Sequence, residues 1–359
     1  MNTRIAAALL LMAAGCDQET GITDIVDDVD PGTEIEVDTE AEIPEVPRFY
    51  FLEHPSAPAV SHEGTVLITN HETGGDVYTW TEDEGLEWRT TTGAYFNTVN
   101  DISADGTIIL GETGDYTQDE VTQAAIWTEA DGWTKLGALP DTLDCPMQSA
   151  GYSLSDDGTV AAGLAFSGCS GRAFSWSEAS GFVGYEAVGD GGNRASRIAG
   201  DGTRMVGFAQ GNSTRTPAMW DADGTGRVLD MRFPGEFYDI NHDGSLAVGR
   251  LGQKAFRWRD GIGHEALDTL GEPGESTSTA KRICGADDRY ILGRDSLAGG
   301  QAFIWDEDAG IRTLYGFLED RGMVFPANAR LLDVQDCSPD MTLITGPGTL
   351  GEITGVWIA

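Results

Sequence analysis

Residues 239–270 read DINHDGSLAVGRLGQKAFRWRDGIGHEALDTL, and the same sentence is written, with variations, along most of the chain. It holds an Asp-Gly turn between two apolar runs, a β-branched run ending in Gly, a run carrying Trp258, and a second Gly-containing turn. Asp-Gly between alternating apolar segments is a strong hairpin signal because Gly tolerates positive φ. The unit therefore reads as four short antiparallel strands, a to d. Copies begin near Asn100, Tyr152 and Arg197, and the turn recurs at Gly64, Gly106, Gly158, Gly202 and Gly244, with degenerate versions near Asp288 and Met341. The Trp recurs at 80, 127, 176, 220, 258, 305 and 357, with spacings between 38 and 52 residues. Seven such copies are a propeller period. The sequence predicts an all-β chain forming a single seven-bladed β-propeller with four-stranded antiparallel blades.

The last copy stops at GVWIA, its strand c, while PRFYFLE (47–53) has no blade of its own. That N-terminal strand, 47–53, is predicted to close the ring as the missing fourth strand of blade seven, which removes an exposed edge. The recurring Trp residues are expected to pack between neighbouring blades.

The repeat resembles the HAF repeat of bacterial extracellular repeat proteins, in the pieces Asp243-Gly244 with Gly249, Ala255-Phe256-x-Trp258, and Leu136-Gly137-x-Leu139. The resemblance covers about 60–359 and implies a propeller-like fold; propellers host many unrelated activities, so it names no function. A weaker likeness to TolB-type propeller repeats is also present.

Residues 1–16, MNTRIAAALLLMAAGC, combine one Arg, a short apolar stretch and small residues leading to Cys16. The stretch is too short for a permanent span. It resembles a bacterial lipoprotein signal, with Ala13 in place of the usual Leu, and implies cleavage after residue 15 and lipid on Cys16. Residues 17–46 contain 12 Asp or Glu and no Lys or Arg, so 16–46 is expected to be an extended acidic tether. The expected organisation is 1–15 signal peptide, 16–46 tether and 47–359 propeller. The expected address is the cell envelope, extracytoplasmic, with the outer membrane or cell surface favoured over the inner membrane.

The formal charge is −37, from 59 acids against 22 bases, which excludes nucleic-acid phosphates as a partner. The expected contacts are the membrane, through the lipid, and an unidentified protein or glycan, with the chain itself a monomer. Four Cys remain after Cys16: Cys145 and Cys169 on one face of blade three, and Cys284 and Cys337 at the same repeat position in strand a of adjacent blades. Each pair is a disulfide candidate, the second only if the backbones approach within about 7 Å; buried free thiols are the alternative.

The d-to-a and b-to-c connections lie on one face and look long and variable: 111–123, 137–150, 166–172, 209–216, 270–280 and 315–330. Binding is expected at that face and at the central mouth. Arg194, Arg197, Lys281, Arg282 and Arg330 fall at entries to strand a, with Tyr238 and Asp239 at the equivalent place in blade five. They form a candidate rim for an anionic ligand, the alternative being local pairing with carboxylates. No catalytic motif is present: the five His lack metal-ligand spacing, and no nucleophile elbow or P-loop occurs. No metal site or cofactor is expected, although Asp221-Ala-Asp223-Gly-Thr225 is similar to a fragment of a calcium loop. The reading is a binding or scaffold module. The alternatives are a hydrolase or lyase acting on a polysaccharide or other anionic polymer, and an envelope-assembly or adhesion factor.

Overall fold

A computed structural model describes residues 47–359 except 54–55, 71–74, 93–98, 115–120, 141–147, 190, 212–213, 230–232 and 273. The signal peptide, Cys16, the tether and Cys145 lie outside the described residues.

The chain is an all-β, seven-bladed propeller. Blade one is β2–β5 (Ser56–Val60, Val66–Asn70, Asp76–Thr81, Gly85–Thr91) and blade two β6–β9 (Val99–Ile102, Ile109–Thr113, Gln123–Thr128, Gly132–Gly137). Blade three is β10–β13 (Ser149–Leu154, Val160–Ser167, Ser170–Ser177, Gly181–Gly184) and blade four β14–β17 (Asn193–Ile198, Arg204–Gln210, Arg215–Asp221, Gly226–Val228). Blade five is β18–β21 (Gly235–Ile240, Leu246–Leu251, Lys254–Arg259, Gly263–Ala266) and blade six β22–β25 (Ser278–Cys284, Tyr290–Asp295, Gln301–Asp306, Gly310–Thr313). In blade seven strand a is split into β26 (Ala329–Leu331) and β27 (Asp336–Cys337), both paired with β28 (Ile344–Leu350), and β29 (Ile353–Ile358) follows. The fourth strand is β1, Tyr50–Leu52, antiparallel to β29 with Tyr50 opposite Ile358. The ring is thus closed by the N-terminal strand, whose three side chains are all buried. The β28–β29 hairpin lies on the b-to-c face, so the Tyr50–Ile358 end, and the chain leading into it, lies on the opposite a-to-b face.

Burying both faces of each blade requires a bulky residue between neighbours. Trp80 packs against Tyr50, Val356 and Ile358 of blade seven, Trp127 against Ala59 and Leu67 of blade one, and Trp220 against Ala162 and Ala173 of blade three. The indoles fill the seams on which each blade docks to the one before.

The a-to-b turns are held by a repeated set of bonds. Asp105 Oδ1 accepts from Ser103 Oγ (2.6 Å), Thr107 N (3.0 Å) and Thr107 Oγ1 (2.8 Å), and the same set recurs around Asp157 and Asp340. These donors hold the Asp105 and Asp157 carboxyls below the usual range. In the degenerate turns, Asp287, Asp288 and Met341 take the positive φ that Gly supplies elsewhere.

Two connections and the register of one cysteine pair differ from the sequence expectation. Residues 166–172 form no long loop: β11 and β12 join through Gly168 and Cys169, both at φ 59°, a tight turn matched to strand twist. Within 315–330 a helix, α1, spans Leu314–Glu319; the Thr313 hydroxyl accepts from Gly316 N, and Leu314, Phe317 and Leu318 bury one face. Cys284 and Cys337 are disulfide-bonded, with Cα atoms 6.3 Å apart, but they are not equivalent in register. Cys337 pairs with Ile344, as Ile283 pairs with Ile291, so Cys284 lies one residue further along. Cys169 is also disulfide-bonded.

Candidate binding site at the channel

The inner strand of blades one to six carries a bulge, and that of blade seven is split at the corresponding place. In blade five the register jumps from Phe237–Gly249 to Asp239–Val248, and blades three, four and six do the same. The bulge pushes a strand-a carbonyl against the next strand, where only Gly fits. A Cβ on Gly249 would stand 2.2 Å from Glu236 O, and one on Gly207 2.1 Å from Arg194 O. The second Gly of the repeat is therefore the imprint of the bulge, which re-aims the residue after it toward the axis.

That residue forms a ring: Asp101, Ser153, Arg197, Asp239, Arg282 and Asp336, with Ala59 at the matching register of blade one. Asp101 Oδ2 accepts from Leu154 N (2.8 Å), Ser153 Oγ from Ile198 N (3.3 Å), Asp239 Oδ2 from Ile283 N (2.8 Å), and Asp336 Oδ2 from Val60 N (2.8 Å). Each bond clasps the backbone of the following blade. The two arginines have no acceptor to offer and instead neutralise carboxylates. Arg197 Nη1 lies 3.0 Å from Asp101 Oδ2, and Arg282 Nε donates to Asp336 Oδ1 at 2.6 Å. Asp239 is the odd member: its Oδ1 is 3.9 Å from Arg197 Nε. Burial pushes its carboxyl up to about 6, against the opposing pull of Arg282 and Arg197. The three carboxylates hold the Arg197 guanidinium above its ordinary value despite burial.

Of the sequence candidates, Arg197, Asp239 and Arg282 thus meet on the channel wall. Lys281 Nζ sits 3.1 Å from Asp333 Oδ2 and 5.8 Å from the Tyr238 ring centre. Burial beside Glu236 raises the Tyr238 hydroxyl above its usual range. Arg194 lies over the rings of Tyr152 (4.8 Å) and Phe208 (4.7 Å), away from the ring of charges. Arg330 donates to Ala298 O at 3.0 Å on the exterior. In the calcium-like fragment, Asp221 is bound by Arg204 (2.6 Å) and Arg227 (2.7 Å), and Asp223 accepts from Thr225 N (2.8 Å), so each carboxylate already has its partners. Among the described residues no three His, Cys, Asp or Glu side chains converge to hold a metal ion.

The ring floors a cavity of about 430 Å³ that opens on the a-to-b face, not on the variable-loop face. Its mouth is formed by the first residue of each turn: His62, Ala104, Asp156, Gly200, His242, Gly285 and Pro339. Asp156 bridges two blades on either side. Its Oδ2 is 2.6 Å from His242 Nδ1 and its Oδ1 3.7 Å from His62 Nε2. The Asp156–His242 pair runs directly over Gly200, where a Cβ would stand 2.4 Å from the carboxylate and 2.5 Å from the imidazole. The hydrogen bond to Asp156 raises the His242 pKa. Sequence reasoning missed this cluster because residues two blades apart meet only through the ring; its one trace was the shared position just before Glu63-Gly64, Asp157-Gly158 and Asp243-Gly244.

No family model matches the sequence, and no curated protein matches it. The fold is shared widely among solved structures. The β-propeller domain of the Trilobed protease from Pyrococcus furiosus superposes with a TM-score of 0.55 at 12% identity, over 85% of this chain and 92% of that one. An oligogalacturonate lyase solved in complex with manganese gives 0.54 at 10% identity, over 85% and 89%. Kuenenia stuttgartiensis hydrazine synthase gives 0.53 at 14%, over 92% and 99%. At these identities the likeness establishes the propeller fold alone.

Proposed function

We propose that this chain is a lipid-anchored, extracytoplasmic β-propeller that serves as a binding or scaffold module in the cell envelope, at the outer membrane or cell surface. The leader ending at Cys16 and the acidic segment behind it support the address. The observation that carries the module reading is the use of the channel residues: Asp101, Asp239 and Asp336 each clasp the next blade, and Arg197 and Arg282 are spent on those carboxylates. Such a ring gives rigidity to a platform for partners. The test is a crosslinking pull-down with residues 47–359 against envelope extract from the source organism. Capture of a defined protein or glycan is the expected outcome; recovery of neither would remove the reading.

A second reading, a hydrolase or lyase acting on an anionic polysaccharide, is favoured by one observation: the Asp239 carboxyl lines the cavity, and burial pushes it up to about 6 against the pull of Arg282 and Arg197, as a general acid requires. It requires new reducing ends from anionic polysaccharides that vanish in Asp239→Asn, and absence of any turnover sinks it.

A further inference from the structure

Cations are scarce in this chain, 22 against 59 acids. Three nevertheless gather at the variable-loop end of blades four and five: Arg194 in β14, Arg215 at the start of β16 and Arg250 near the end of β19. Arg194 lies over the rings of Tyr152 at 4.8 Å and Phe208 at 4.7 Å, and its Nε donates to Ser196 Oγ at 3.3 Å. Arg215 lies over the same Phe208 ring at 4.2 Å, and its Nη1 donates to Glu236 Oε2 at 2.7 Å. Among the described residues the buried Glu236 is the one carboxylate in contact with the three. Arg194 and the exposed Arg250 have none, so three guanidiniums face one carboxylate and two positive charges are left over. Burial beside Glu236 raises the Tyr238 hydroxyl against the pull of Arg250 and Arg215, so it stays a neutral donor next to them. The cations nearer the axis are already used: Arg197 and Arg282 on Asp101 and Asp336, and Lys281 on Asp333.

We propose that this cluster binds a sugar acid, a saccharide bearing one carboxylate, with Arg194 and Arg250 as the cations that receive it; the assignment rests on the binding-module reading and names its ligand. Ser196 takes the Nε of Arg194, which leaves the Nη edge, a fork that matches the two oxygens of a carboxylate. Two rings hold that guanidinium before a ligand arrives, so little side-chain freedom is lost on binding. The hydroxyls of Tyr152, Ser196 and Tyr238 belong to the same group of side chains and can bond to those of a sugar, both as donors and as acceptors. The charge of the ligand follows from the charge of the chain. A net −37 repels an approaching anion in proportion to its charge, while the local excess of two cations is fixed, so a single carboxylate is preferred to a doubly charged phosphate ester. Salt screens the distant acids beyond about 8–10 Å, which leaves the guanidiniums to decide the energy at contact.

The test is calorimetric titration of the full-length protein with sodium D-glucuronate, with D-glucose and D-glucosamine as neutral and cationic controls. Glucuronate is expected to bind with a Kd of about 1 mM or below, and the controls at least about tenfold more weakly. Arg194→Gln should weaken glucuronate at least about tenfold, and Arg194→Lys, which keeps the charge but loses the fork, should fall between that variant and wild type. Arg227→Gln removes the same charge on the opposite face of blade four and should leave binding unchanged, which separates the local cations from the net charge. Circular dichroism and melting check each fold; if Arg194→Gln does not fold, Arg250→Gln, at an exposed position, must weaken binding in its place. No glucuronate binding, equal binding of glucose, unchanged binding in the Arg194 and Arg250 variants, or an equal loss in Arg227→Gln overturns the assignment. A protein captured from envelope extract beside any of these results would leave the module reading standing, so the two fail separately.

Discussion

Replacing Gly249 by Ala tests whether the bulge shapes the repeat. The added Cβ would meet Glu236 O at 2.2 Å and Phe237 Cα at 2.9 Å. Both are backbone atoms of β18, held by the ladder to β19, so relief requires the strands to part by nearly 1 Å or the bulge to collapse. Overpacking a fixed site costs about 1–3 kcal/mol and at times more. Collapse would also withdraw the Asp239 Oδ2–Ile283 N bond, worth about 1.5 kcal/mol as a charge-assisted contact. A total of about 3–4 kcal/mol is expected, against a total stability of about 5–15 kcal/mol. At roughly 2–3 °C per kcal/mol this lowers the calorimetric Tm by about 6–12 °C. Gly261→Ala, in the outer turn of the same blade, is the control. Its Cβ would meet nothing within 4 Å and only the φ of +70° opposes it, costing about 1–2 kcal/mol. Equal melting of the two variants, or a larger loss for Gly261→Ala, would refute the argument that Gly249 is dictated by the bulge.

Phe51→Ala removes a ring packed in the cluster that contains Trp357; a loss of about 3–5 kcal/mol is expected, seen as a lower denaturant midpoint. A chain starting at residue 55 should elute as oligomers, because β29 would be left as an open edge. The pH behaviour of Asp239→Asn follows from its sign. The folded carboxyl titrates near 6, above the ordinary 3.8, so its favourable contribution is complete below about pH 4 and disappears as pH rises through 6. The amide variant should melt above wild type at pH 7.5, by about 1–2 kcal/mol, and lose that advantage by pH 4.5. Cys284→Ser with Cys337→Ser opens a link spanning 53 residues and should cost about 2–4 kcal/mol in thermal unfolding. Gly200→Ala should separate Asp156 from His242 at little cost in stability, and NMR titration should show the His242 pKa falling toward 6.5.

The blade count, the strand order and the closing strand were all legible, because they rest on local signals: turn glycines, the spaced Trp, and a last copy one strand short. The site was legible only in part. A bulge adds one residue inside strand a, so period-two reasoning loses parity there and cannot say which of Tyr238 and Asp239 faces the axis. Nor can it tell that Arg197 reaches past Ser153 to Asp101, or that Asp156 meets His62 and His242, since those partners lie two blades apart. The Cys284–Cys337 bond was foreseen as a pair but not its one-residue offset, which arises from the extra residue in the turn after Cys284. The six residues of α1 were hidden by the brevity of their apolar pattern.

The closing strand also determines how the propeller carries force. The chain enters β1 from the a-to-b face at the Tyr50–Ile358 end and runs antiparallel to β29. Tension applied through residue 47 along the axis of β1 pulls that strand lengthwise past β29. It loads the β1–β29 hydrogen bonds together in shear instead of peeling them one at a time. The load then passes into blade seven, which the Cys284–Cys337 bond ties covalently to blade six. The seam between blades six and seven therefore cannot be pulled open without breaking that covalent bond.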